Sequence, residues 1–412
     1  MIEINRFTLP NGLRVVHNYD SATAMVALNV LYNVGARDED PQMTGLAHLF
    51  EHLMFGGSTN IPDFDTAIER AGGWNNAWTN NDFTNFYDVV PAHNAETAFW
   101  LESDRMLSLA FNEKPLEVQR HVVIEEFKEV CLNKPYGDMG HQLRSLIYTQ
   151  HPYRYPTIGK EISHIEKVTL HDVKDFFYSH YAPNNAVLAV SGHISIEETK
   201  HLVEKWFSDI PSRAISPRNY PSEPKQTEER KKITSGRVPQ TAIVKAFRMP
   251  GYYSPDYIPC DIITDLLASG RSSRYYRNLL MSTDLFSEID ASICGSDEPG
   301  HLILNAKLTR NDSDSIKLAE DLMLSEALSL TNGSLTEYEL TRTINRFESN
   351  FTFGSINFLA KAQALAMSEM HNEDINNIVP RYREITTDKI ISVAHEIFNP
   401  QNCSTLIYNP EE

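Results

Sequence analysis

Apolar positions change their period several times along this chain, and each change marks an element. "LRVVHNY" (13–19) and "MVALNVLYNVG" (25–35) alternate or run apolar with β-branched side chains, as strands do. "TGLAHLFEHLMF" (44–55) switches to helical spacing through Leu46, Leu49, Leu53 and Met54, and the turn signal "GGSTN" ends it. "DFDTAIERAGG" reads as a second short helix stopped by paired glycines. "TNFYDVV" returns to strand, "AETAFWLESDRMLSL" and "LEVQRHVVIEEFKEVCL" are long helices, and "NAVLAVSGHIS" is a buried strand.

The second half repeats this order. "QTAIVKAFRMP" is a strand; "DYIPCDIITDLLAS" and "SRYYRNLLM" are helical; "FSEIDASICG" and "GHLILNAKL" are strands. Two long amphipathic helices follow, "SDSIKLAEDLMLSEALSL" and "LTEYELTRTINRFESNF", and "CSTLIYNP" is a last strand. The common order predicts a degenerate duplication with units of about 200 residues. Between the halves, "PSRAISPRNYPSEPKQTEERKKITSGRVP" is rich in proline and charge. It predicts a linker over 212–238, between an N-terminal domain 1–211 and a C-terminal domain 239–412.

Length and composition agree with this division. A chain of 412 residues is too long for one ordinary core, and its 41% apolar and 22% charged content fits a globular protein. The net charge of −18 argues against nucleic-acid binding, which needs clustered Lys and Arg. No run of 18 apolar residues predicts a membrane span. The four cysteines (Cys131, Cys260, Cys294 and Cys403) are far apart, so reduced and mostly buried thiols are expected rather than a disulfide framework. The N-terminal stretch reads as a first strand and not as a signal peptide. Together these lean towards the cytoplasm, with a periplasmic or organellar location open if a targeting segment has been removed.

The chemistry concentrates in "HLFEH". On a helix, His48 and His52 share one face, so both imidazoles can serve one metal ion. Zn²⁺ suits imidazole plus carboxylate, with a position left open for water. Glu51 lies beside them and can take a proton from that water and later return it to a leaving amine. A third ligand is needed. The acidic helix "VQRHVVIEEFKEV" offers Glu125, Glu126 and Glu129, and a rotation of about 100° per residue keeps Glu125 and Glu126 from facing the metal together.

With these motifs the chain resembles the inverzincin metallopeptidases of the pitrilysin and insulysin family, in particular the short branch that includes mitochondrial processing peptidase. The resemblance runs through "LPNGLRVV", "NVGARDED", "TGLAHLFEHLMFGGS", "AGGWNNAWTNNDFTNFY", "QRHVVIEEF", "HPYRYPTIGKEISHIEKVTLHDVKDFFYSHYAPNNAVLAVSGHI" and "GRSSRYYRNLL", in that order. It implies an α+β fold of two homologous α/β-sandwich domains, each a mostly antiparallel mixed sheet with packed helices, forming a clam-like peptidase chamber. It implies zinc held by His48, His52 and Glu126, the last 74 residues beyond His52, with Glu51 as base. It assigns Asn76 and Ala77 to an edge strand that binds substrate backbone. Trp74 and Trp78 are expected to be plain core.

Two positions depart from the family pattern. Gln119 stands seven residues before Glu126, where many members have a glutamate behind the ligands; it can hydrogen-bond but supplies no charge. An Arg/Tyr pair that steadies the oxyanion in self-sufficient members is replaced, on an ungapped reading, by Leu280 and Ser287, with Tyr276 and Arg277 out of register. The resemblance therefore implies a homologous partner subunit that supplies the pair in a heterodimer, or otherwise a homodimer. The leading expectation is a zinc endopeptidase acting on unfolded peptides. The rivals are a non-catalytic core-type subunit of a larger complex and a zinc hydrolase of non-peptide substrates.

Overall fold

The apolar run MVALNVLY forms strand β3 (Met25–Tyr32), with seven of its eight residues buried. Its alternating side chains feed two cores: Val26, Leu28, Val30 and Tyr32 point to one face of a sheet, and Ala27 and Leu31 to the other. The one polar residue inside the run, Asn29, exchanges amide hydrogen bonds of 2.8 and 2.9 Å with Asn85, so its burial is satisfied.

This computed structural model describes residues 1–215 and 217–411. The first sheet holds β1 (Asn5–Thr8), β2 (Arg14–Tyr19), β3, β4 (Trp74–Thr79), β5 (Thr84–Pro91) and β6 (Ala186–Gly192), in the order β1-β2-β6-β3-β5-β4. One face packs against α1 (Leu46–Leu53), α2 (Phe64–Arg70), α3 (Ala95–Leu107), α4 (Glu113–Phe127) and the helices Leu170–His180 and Ile196–Phe207. The other face is covered by the helix Phe358–Met370, through Ala362, Leu365, Ala366 and Met370.

A second sheet has β7 (Arg230–Gly236), β8 (Ala242–Arg248), β9 (Phe286–Cys294), β10 (His301–Leu308) and β11 (Cys403–Pro410), in the order β7-β11-β8-β10-β9. Without β1, the two orders coincide, and in each sheet one pair is parallel at the same place: β2 with β6, and β7 with β11. The helix Met139–Ile147 packs on this sheet through Leu143 and Ile147 against Val244, Ala246 and Leu406. The mixed α/β architecture with two related sheets is the expected one.

The units differ from the contiguous division expected at 1–211, 212–238 and 239–412. One unit comprises Met1–Phe127, Tyr155–Tyr220 and Asn350–Ile378; the other comprises Lys128–Arg154, Pro221–Ser349 and residues from Val379 on. Each sheet thus takes one covering helix from the opposite half of the sequence, an exchange that no local pattern encodes. The expected linker is partly strand. β7 lies in its C-terminal third and is polar because it is an edge, where exposed lysines such as Lys231 and Lys232 discourage further pairing. Upstream, the Glu223 carboxylate accepts the backbone N–H groups of Thr149, Gln150 and His151 at 2.8–2.9 Å, which pins that segment. The helix read through residue 132 changes form at the unit boundary: α4 ends at Phe127, and Lys128–Asn133 is a wider π-type turn. None of the four cysteines is in a disulfide, and three of them are buried. Among the described residues no helix is long and apolar enough to cross a membrane.

Candidate metal centre

α1 is eight residues long, and five of them (Leu46, Ala47, Leu49, Phe50 and Leu53) are buried. That fixes its rotation and leaves His48, Glu51 and His52 on the remaining face, half-buried. Its start is built tightly. Gly45 precedes it at φ +90, and a Cβ there would meet Ile165 Cδ1 at 2.6 Å. The buried Glu39 carboxylate accepts the Gly45 and Ala47 backbone N–H groups, both at 2.8 Å, and so satisfies donors that the helix leaves open. Burial pushes that carboxyl up to about 8, against the pull of those two donors.

Packing of α1 against α4 brings Glu126 to the two histidines. Its Oε2 lies 3.6 Å from His48 Nε2 and 3.4 Å from His52 Nε2. These three side chains can each offer one ligand atom with all such atoms within 4.8 Å of one another, and they form the candidate metal cluster among the described residues. The separations are long for hydrogen bonds. They match the roughly 3.4 Å expected between ligand atoms that sit about 2.1 Å from a tetrahedral zinc. The donor set of two imidazole nitrogens and one carboxylate oxygen is also the type that leaves a fourth position open. Glu125 on α4 and Glu129 in the π-type turn after it, the other acids considered as ligands, are exposed.

Electrostatics favour a cation here. Burial lowers His48 to about 4, which keeps its imidazole neutral with a lone pair to give. Burial also acts to lower His52, but the adjacent Glu126 carboxylate, with the charge of Glu51, outweighs it and raises the ring. Gln119, on α4, acts in the same direction on His52. Glu51 is raised, chiefly by burial, against the opposing effects of Thr79 and His52.

β4 runs beside this cluster at the edge of its sheet. At the mouth of the β4–β5 hairpin, Asn80 N–H donates to Phe83 O at 2.9 Å. Antiparallel alternation then turns the peptide groups of Asn76 and Trp78 towards β5 and those of Ala77 and Thr79 to the open edge. The Ala77 N–H is held by the Asn76 side-chain oxygen at 2.8 Å. Thr79, to which sequence reasoning gave no role, donates its hydroxyl to Glu51 Oε2 at 2.5 Å. It lies inside the stretch singled out for Asn76 and Ala77; only the third dimension links it to Glu51. The expectation of core packing is corrected for Trp74. It is 49% exposed and stacks edge-on against Tyr87 at 5.8 Å, because the open end of an edge strand has no layer to bury it. Trp78 does pack, half-buried, against the core below the helix Phe358–Met370.

The positions read as the missing Arg/Tyr pair belong to the second unit. Leu280 closes a short π-type helix, Tyr276–Leu280, in which Arg277 is exposed. Ser287 is the second residue of β9, and its hydroxyl donates to Gln240 Oε1 at 3.1 Å.

Two family models match the chain in succession: "Insulinase (Peptidase family M16)" over residues 14–161 and "Peptidase M16 inactive domain" over residues 167–347. The chain is 27% identical over 419 residues to the zinc protease PqqE of Helicobacter pylori, covering 98% of this chain and 92% of that protein. It is 28% identical over 255 residues to the mitochondrial-processing peptidase subunit beta of Saccharomyces cerevisiae, covering 60% and 54%. In fold it superimposes on the crystal structure of a protease from Helicobacter pylori with a TM-score of 0.93 at 24% identity, over the whole of both chains. These likenesses support a peptidase function and suggest zinc as its metal.

Proposed function

This chain belongs to the M16 family of insulinase- and pitrilysin-type peptidases, and from that premise we propose that it is a zinc-dependent endopeptidase acting on unfolded peptides. The observation that carries the reading is the convergence of His48, His52 and Glu126 with Glu51 on the same face of α1. In this reading His48, His52 and Glu126 hold the zinc, and Gln119 steadies His52. Zinc, when bound, supplies Lewis-acid polarisation to the attacking water and the scissile carbonyl. Glu51 accepts the proton of the attacking water and returns it to the leaving amine nitrogen. At the open edge of β4 a peptide adds as a further strand, contacting Asn76 and Ala77: its carbonyl takes the Ala77 N–H in place of the Asn76 side chain.

The reading extends to a partner. Leu280 and Ser287 carry no group that can steady an oxyanion as an Arg/Tyr pair does, and a homologous subunit bearing that pair completes the site in a heterodimer. The yeast relative, itself named as a subunit, is consistent with such an assembly. A second reading, a non-catalytic subunit of a larger complex, draws on the "inactive domain" description of the model matched at 167–347. Cleavage of a quenched, unstructured peptide by the zinc-loaded chain, with Glu51→Gln as the blank, separates these. Turnover above the blank by the isolated chain establishes the peptidase and removes the need for a partner. Turnover only on adding a homologous Arg/Tyr-bearing chain establishes the heterodimer. Zinc retained without turnover in either setting favours the non-catalytic subunit.

A further inference from the structure

We propose that Thr79 is a positioning residue for the base: its hydroxyl occupies one carboxylate oxygen of Glu51, so that the other oxygen takes and returns the proton. The inference rests on the peptidase reading above and deepens it. Thr79 Oγ1 donates to Glu51 Oε2 at 2.5 Å, at the short end of the range for a hydroxyl bonded to a carboxylate. Glu51 Oε1 takes no hydrogen bond among the described residues. A glutamate side chain has three rotatable bonds, so a carboxylate beside an open metal site samples several rotamers unless something holds it. Thr79 is well suited to hold it. Its β-branched side chain is stiff, and it stands on a strand fixed to β5 through the Thr79–Thr84 pairing.

The division of labour balances. As the water oxygen bonds to the carbonyl carbon, its proton passes to Glu51 Oε1; as the C–N bond breaks, that proton passes to the amine nitrogen. Thr79 keeps its own proton throughout. Its main chain also faces the open edge of β4, so a peptide pairing there docks on the residue whose side chain aims the base. Sequence alone hides this link, because Thr79 and Glu51 are 28 positions apart and on different elements.

Thr79→Val preserves shape and removes the hydroxyl. In the full-length, zinc-loaded protein we expect kcat for an unstructured peptide to fall about ten- to a hundredfold, with KM within about twofold of wild type, since misaiming a reacting group costs that much. Zinc content stays at the wild-type level, and Thr79→Ser restores most of kcat. Crystal structures of the zinc-loaded variants supply a readout independent of turnover: Glu51 leaves its position in Thr79→Val and keeps it in Thr79→Ser. Wild-type kcat in Thr79→Val, equal loss in Thr79→Ser, loss of zinc from Thr79→Val, or an unmoved Glu51 in its crystal structure each overturns the proposal. If wild type and Glu51→Gln cleave peptide equally, the peptidase reading fails, and the crystal structures still decide whether Thr79 holds the carboxylate.

Discussion

The two sheets of this protein share a strand order and the place of their parallel pair, yet only the first carries the candidate site. In the first unit, the helix that follows β3 is α1, and it presents His48, Glu51 and His52. In the second, the helix that follows β8 is Tyr257–Ala268, whose polar side chains include Asp261 and Asp265 but no histidine. Burial raises the Asp261 carboxyl, which accepts the Tyr382 hydroxyl at 2.6 Å. Buried charge is thus used differently in the two places. In both a neighbour's hydroxyl reaches a carboxyl, Thr79 at Glu51 and Tyr382 at Asp261, but around α1 the acid Glu126 and two histidines also gather towards one point. The scaffold tolerates both, because the packing of these helices depends on their apolar faces and leaves the remaining face free to carry chemistry or structure.

Substitutions at the candidate metal centre sharpen the contrast most. Glu51→Gln is expected to lower peptide turnover by about 10²- to 10⁴-fold while zinc content is retained. His48→Ala, His52→Ala and Glu126→Ala are each expected to lose zinc. Metal analysis of the purified proteins decides it, and full occupancy in Glu126→Ala with loss in Glu125→Ala or Glu129→Ala moves the third ligand. None of the corresponding changes in the second unit, Asp261→Ala included, is expected to alter zinc content.

A second contrast concerns pH. The second unit holds His301 on β10, against the Tyr148 hydroxyl at 3.0 Å, and burial lowers it to about 3. The folded-state value lies below that of the unfolded chain, so this residue's contribution is full above about pH 6.5 and is lost as pH falls towards 3. Between pH 6.5 and 5, wild type is expected to lose about 2 kcal/mol more than His301→Gln, at about 1.4 kcal/mol per pH unit. Denaturant unfolding of the two proteins across that range measures the difference, and parallel curves would contradict it. Tyr382→Phe, which leaves the Asp261 carboxyl without its donor, is expected to cost about 1.5 kcal/mol in the same assay, with zinc content unmoved. The smallest effect falls behind the ligands: Gln119→Ala is expected to weaken zinc affinity about tenfold, measured by competition with a chelator. No change there would mean that the His52 ring is held by its packing alone.

Much of the framework was legible because the signals are local. Period-2 and period-3.6 runs gave most of the strands and several of the long helices, and the i, i+4 spacing of His48 and His52 with Glu51 between them named a candidate centre. The boundary of the linker was not legible. An edge strand rich in lysine, β7, looks the same in composition as a solvated connection. Nor was the exchange of the helices Met139–Ile147 and Phe358–Met370 between sheets, since an amphipathic helix does not say which sheet it covers. Trp74 was misread for a related reason: an aromatic residue in a strand is core only if a layer lies over it.

By itself the sequence determined the class of chemistry, because two histidines and a glutamate on one turn of helix constrain what a metal and a base can do there. It left the third ligand to be chosen among Glu125, Glu126 and Glu129 by analogy. Tertiary structure decided which carboxylate lies near the histidines, since the rotation of α4 against α1 is set by buried Leu116, Val123 and Phe127 and not by the acids themselves. It also decided that Thr79 holds Glu51. A hydrogen bond between a helix and a strand depends on how the two pack, and that depends on the whole core at once.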